Sequence, residues 1–334
     1  MTNRTIAILL LAAVGPFAAP QTAAHAGELE DRAAIARQVS ALFEAERFDE
    51  LDRMAEEFRT RESRSGSGLW KLTLFYRGLY VQHEGAVDEV YFDKVDRLYL
   101  RWAERNPDST VAHIGYASSL ANRAWFFRGS GWARDVPKEA WQPFFEYLAK
   151  ARLHLMEHKQ ATDKDPVWFH NMLAVAKGEN WPLDRFLALV EEGTAKHPYF
   201  YEIYFRSIDF LLPKWHGSKA MIEEFADLAV EETREREGIG MYARIYWHAS
   251  QIQYGTKLFT GTQVVWAKMS AGIDDVLARY PDQWNINNFA HFACLARDRE
   301  KAAALLARIE GAPIERAWAN NLATYRVCRD WVEG

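Results

Sequence analysis

The sequence feature that most constrains the fold is a proline set between two runs of helical periodicity, repeated along the chain. It occurs in ERNPDSTVAH, DKDPVWFHNML, KHPYFYEIYF and ARYPDQWNINNFA, at Pro107, Pro166, Pro198 and Pro281. Proline suits the first turn of a helix, where its missing N–H leaves no bond unmade. Each proline therefore marks a helix start just beyond a helix end. Apolar residues recur at helical spacing on both sides, as in Phe144, Leu148, Ala151 and Leu155, and alternating strand patterns bounded by hairpin turns are absent. The expected class is all-α. The interval from Pro166 to Pro198 is 32 residues, close to a two-helix repeat, while intervals of 59 and 83 fit degenerate or inserted repeats. One helix pair cannot bury its apolar faces alone, so stacking must do it. We expect an α-solenoid of stacked antiparallel helix hairpins, a single continuous array over residues 27–334. The pattern predicts helices over 69–83, 137–160, 239–254 and 314–332 among others, with RESRSGSG at 61–68 as the most linker-like segment.

The first residues have one cation (Arg4), an apolar run from Ile6 to Val14, a Gly15-Pro16 break, and Ala24 and Ala26 around His25. That layout is a secretory signal peptide over 1–26, and its apolar run is too short to span a bilayer, which takes about 20 residues. Without it the chain holds 40 Lys and Arg against 46 Asp and Glu, a formal charge of −6. Nucleic acid and anionic lipid both require a basic face, so neither is an expected partner. No later segment approaches membrane-span length, and a periplasmic or secreted protein follows. Cys294 and Cys328 are separated by 34 positions. In an exported chain they are candidates for a disulfide worth about 3–4 kcal/mol by loop entropy. The alternative is two buried free thiols.

The alternation of bulky and small residues in hairpins such as ALFEAERFDELDRMAEEF, with the prolines, resembles the tetratricopeptide-repeat superfamily. More specifically, RGSGW (128–132), LLPKWHGS (211–218), YARIYW (242–247) and the stretch 278–306 resemble an uncharacterised bacterial family of tetratricopeptide-like proteins, over about residues 60–310. The resemblance implies a helical solenoid and no activity.

The two blocks RGSGW and LLPKWHGS interrupt the helical pattern at the same point, between the two helices of a hairpin. Gly129, Gly131 and Gly217 can end a helix and Ser218 can cap the next. Stacked in register, such turns line one edge. Arg128, Trp132, Lys214, Trp215 and His216 would then converge on an aromatic, cationic site for a carboxylate-bearing ligand or peptide terminus. Alternatively, each indole plugs the gap between its own two helices. HLMEH at 154–158 spells HxxEH, the zinc motif of inverted-motif metallopeptidases, with His154 and His158 as ligands and Glu157 as general base. The five residues carry no further likeness to that family, and two surface histidines at the edge of a packed helix are the preferred reading. His113, His170 and His291 recur in the helices after prolines, which reads as packing with a polar tip. Repeat arrays offer long curved surfaces, which favours binding over catalysis. The expectation is an exported scaffold, without cofactor, that recognises a protein, peptide or cell-envelope component. A metal-dependent hydrolase at 154–158 is the alternative.

Overall fold

The computed structural model describes residues 27–79, 88–129 and 131–334. The expected signal segment 1–26 lies outside them. Every regular element among the described residues is a helix. In order run α1 (Glu28–Glu44), α2 (Phe48–Thr60), α3 (Lys71–Gly78), α4 (Glu89–Arg105), α5 (Thr110–Arg128), α6 (Trp141–Glu157) and the single turn α7 (Lys159–Thr162). Then come α8 (Val167–Gly178), α9 (Leu183–Lys196), α10 (Tyr201–Leu211), α11 (Lys219–Glu237), α12 (Gly240–Ala249) and the single turn α13 (Leu258–Gly261). The last are α14 (Trp266–Arg279), α15 (Gln283–Leu295), α16 (Arg299–Leu306) and α17 (Leu322–Glu333). No helix among the described residues is long and apolar enough to cross a membrane.

Helix starts follow the chemistry of the sequence. After Pro107, the Ser109 hydroxyl accepts from the Ala112 amide and opens α5; after Pro281, the Asp282 carboxylate accepts from the Trp284 amide and opens α15. Pro166 directly precedes α8. These proline-marked helices are largely buried: in α15 every residue from Trp284 to Ala293 is buried. The helices α5, α8, α10 and α12 pack side by side in that order, with α4, α6, α9, α11 and α14 packed against them. Indoles fill the core. Trp102, Trp168 and Trp318 are fully buried, and each N–H has an acceptor: Asp52, the Leu155 carbonyl and Asn287. Burying a side chain of this size contributes about 2–3 kcal/mol.

Three expectations need correction. The helix expected over 314–332 is broken, because Ala319 and Asn320 both take φ 57° after a short turn at Glu315–Trp318, and Asn321 caps α17 anew. The helix expected over 239–254 ends at Ala249 and continues as a wider π turn, Ser250–Tyr254. The segment 61–68 is not a linker. Ser65 and Ser67 are buried, and the buried Glu28 carboxylate accepts from both hydroxyls and from the Ser67 amide at 2.7–2.9 Å.

That segment also ties the start of the chain to its far end. The Ser67 carbonyl accepts from Arg244 Nη2 on α12 at 2.9 Å and from Asn285 Nδ2 on α15 at 3.2 Å. Arg64 donates to the Tyr199 carbonyl at 2.9 Å, and α1 touches α15 directly. Gly68 makes the close approach feasible: its φ is +90°, and a Cβ there would stand 2.6 Å from Arg244 Nη2. Nearest-neighbour stacking alone, the pattern of an open repeat array, does not produce these contacts.

Candidate functional site

The two Trp-bearing turns do meet, though not as an open site. Arg128, at the end of α5, is buried and donates to the Gly129 and Gly131 carbonyls at 3.0 and 3.1 Å. Its guanidinium carbon lies 5.3, 5.5 and 5.6 Å from the ring centres of Trp125, Trp141 and Trp215. Trp215 packs edge-on against Trp125 at 6.1 Å, and the Lys177 ammonium of α8 adds a second cation between the same two rings. The space between the turns is thus filled by the protein's own cations. The remaining expected residues do not join this cluster. Trp132 is 63% exposed and has Arg134 over its face; Lys214 is exposed. His216 stacks on Phe210 at 4.4 Å, and burial lowers its pKa. Gly217 is required where it stands, since a Cβ would meet the Leu211 carbonyl oxygen at 1.9 Å.

The open space lies instead on the wall formed by α3, α5, α8, α10 and α12. A cavity of about 290 Å³ is lined there by Thr73, Tyr76, Arg77, His170, Glu202, Phe205, Arg206, Asp209 and His248, among others. A second, of about 200 Å³, shares Arg77, Glu202, Phe205 and His248 with it and extends to Arg32, Arg244, Trp247, Gln251 and Trp284. The two form one elongated concave surface. The π turn after α12 carries Gln251 to it, a placement such turns favour at functional sites.

A polar relay runs along the first cavity. His170 Nδ1 donates to the Glu202 carbonyl at 3.4 Å, and its Nε2 accepts from Arg206 Nη2 at 2.8 Å. Arg206 Nη1 donates to Asp209 at 2.9 Å, and Asp209 accepts from His248 Nε2 at 2.9 Å. Burial, together with the Arg206 charge, holds the His170 imidazole well below its ordinary pKa. Burial alone would raise Asp209, but the His248 hydrogen bond and the Arg206 charge outweigh it and keep the carboxyl below the usual range. Arg77 pairs with Glu202 at 3.2 Å and remains half exposed. Two lining residues hold a buried polar atom without a partner, Thr73 Oγ1 and Arg206 Nε. Arg244 Nε is a third, on a guanidinium that donates through Nη2 to Ser67 and lies over the Tyr201 and Tyr280 rings.

A separate cluster gathers on α5 and α6. His154 and His158 stand one turn apart on α6, and His113 of α5 joins them: its Nδ1 is 3.3 Å from His154 Nε2, and its ring stacks on His158 at 3.8 Å between centres. One potential ligand atom from each of the three lies within 4.8 Å of the others. His113 Nε2 donates to the Pro107 carbonyl at 2.9 Å. Burial, and then the neighbouring His158 and His113, push the His154 imidazole down to about 4. Glu157 is exposed and outside this ligand set. Sequence spacing pairs His154 with His158 but gives no sign of His113, which lies 41 positions earlier and arrives only through the packing of α5 on α6.

This stretch of chain is also where a likeness to known sequences is found. Residues 35–177 match a domain of unknown function, DUF4034. The DUF4034 match takes in the three histidines, Arg128 and Trp132, and ends before the Lys214–His216 turn. No curated protein and no solved structure matches the chain.

Proposed function

We propose that the protein is an exported, tetratricopeptide-like helical array that binds an extended, acidic segment of a partner protein along the concave surface of α3, α8, α10 and α12. The observation that carries this reading is the elongated surface itself, two cavities joined through Arg77, Glu202, Phe205 and His248. A shape longer than either cavity suits a chain rather than a compact metabolite. Charge points to the sign of the ligand: of the four guanidiniums that line the surface, Arg32, Arg77 and Arg206 pair with Glu28, Glu202 and Asp209, and Arg244 adds a further positive charge. Of these, the half-exposed Arg77 is the donor that a ligand carboxylate can reach. Phe205, Trp247 and Trp284 offer apolar faces between the charges.

Export is supported by the pattern of residues 1–26 and by the pairing of Cys294 with Cys328, whose Cα atoms are 5.8 Å apart, a bond that persists in an oxidising compartment. The Trp-bearing turns then serve as the braced rim of the surface. A hydrolase reading needs Glu157 as base, and Glu157 is exposed to solvent on α6, which gives that reading no support.

Fluorescence anisotropy with labelled short peptides tests the binding. A peptide alternating Glu with Leu should bind the wild type, and its Lys counterpart should not. Arg77→Glu, at a half-exposed side chain, should weaken binding at least about tenfold, and added salt should weaken the wild-type complex. Equal binding of the two peptides, or an unchanged affinity in Arg77→Glu, rejects the reading.

A further inference from the structure

We propose that His113, His154 and His158 form a binding site for one zinc-class divalent cation, with a fourth coordination position left open. The proposal is independent of the concave surface and stands or falls without it.

The argument begins with donor geometry. Three imidazole nitrogens held about 2.0–2.1 Å from a tetrahedral zinc ion stand roughly 3.3–3.4 Å from one another. The His113 Nδ1 to His154 Nε2 edge already measures 3.3 Å. The remaining edges are within 4.8 Å, and the ring that must turn to close them is His158, which is half buried and sits just beyond the last residue of α6. Tautomer comes next. Because His113 Nε2–H donates to the Pro107 carbonyl, the lone pair of the neutral ring is on Nδ1, the atom that faces His154. A backbone carbonyl behind a ligating histidine is the usual device for orienting the ring and raising its basicity. Here it comes from one of the prolines that open the repeat helices.

The alternative, packing alone, is a His154 Nε2–H donating to His113 Nδ1 at 3.3 Å with the His158 ring stacked on His113 at 3.8 Å. No carboxylate ligand atom belongs to the group. A divalent cation satisfies all three lone pairs at once. An all-nitrogen set selects zinc, cobalt, nickel or copper and disfavours magnesium and calcium, which require oxygen. Three protein ligands leave room for one exogenous ligand or water.

Isothermal titration calorimetry on the untagged, chelator-stripped full chain decides the matter. Zinc chloride should bind at one ion per chain, magnesium chloride should give no heat, and cobalt should show the visible absorption of a tetrahedral complex. His113→Ala and His158→Ala should each weaken zinc binding about a hundredfold or more, while Glu157→Gln leaves it unchanged. Zinc should also raise the melting temperature of the wild type and not that of His158→Ala, a variant at a half-exposed helix end with circular dichroism to verify its fold. Absence of zinc uptake by folded wild type overturns the site. So does undiminished affinity in His113→Ala, which would leave His154 and His158 as an adventitious pair, or equal uptake of magnesium.

Discussion

Lys177 shows how single residues are tuned by what surrounds them. Its ammonium sits between the rings of Trp125 and Trp215, 5.2 and 5.0 Å from their centres, and burial lowers its pKa to about 8 from an ordinary 10.5. Between those two values the unfolded chain holds a proton that the folded chain has released, so stability rises with pH across that window. Below about 8 the cost of burying the charge is present in full. Lys177→Met should therefore stabilise the protein at pH 7 by about 1 kcal/mol after the loss of two cation–π contacts. The gain should shrink as pH climbs toward 10.5, as read from urea midpoints of both proteins. Little of this was legible in the sequence. A cation and an indole beside each glycine break were visible, and Arg128 and Trp215 do meet. Trp132 reads the same as Trp215 in a string of letters, but one faces solvent and the other faces Arg128, a difference set by three-dimensional packing.

At the level of elements, what the chain encodes locally could be read and what it encodes by contact could not. Helix starts after Pro107, Pro166, Pro198 and Pro281 follow from capping and from a backbone nitrogen without hydrogen, both properties of a few adjacent residues. The break at 319–320 has one local signal, the pair Asn320-Asn321, since asparagine tolerates a left-handed conformation and caps helices, whereas Ala319 gives none. Ala319 is exposed and held at φ 57°, so Ala319→Gly should relieve strain and stabilise by about 0.5–1 kcal/mol, measured by chemical denaturation. A loss of stability there would mean the methyl group packs against something. RESRSGSG misleads for a related reason: Gly and Ser signal a turn, but not that a buried carboxylate, Glu28, waits to receive its hydroxyls. The cavity network is equally nonlocal, since His170, Arg206 and His248 come from three helices. Its one trace in the sequence is the recurrence of histidine in proline-marked helices, which reads as packing until α8, α10 and α12 are laid side by side.

Across the whole molecule, two kinds of long-range tie hold the helices in place. One is covalent: Cys294 on α15 and Cys328 on α17 enclose a loop of 34 positions. Reducing it should cost about 3–4 kcal/mol by the loop-entropy argument, seen as a lower melting temperature under reductant. Cys294→Ala with Cys328→Ala should melt like the reduced wild type and ignore reductant. The other tie is the Ser67 carbonyl, bound by donors 177 and 218 residues further on. A ribosome adding about 5–20 residues per second delivers the second donor roughly 10 to 40 s after the acceptor. The first three helices can pack on one another early, but the bonds that fasten them to α12 and α15 cannot form on a nascent chain until most of its length exists.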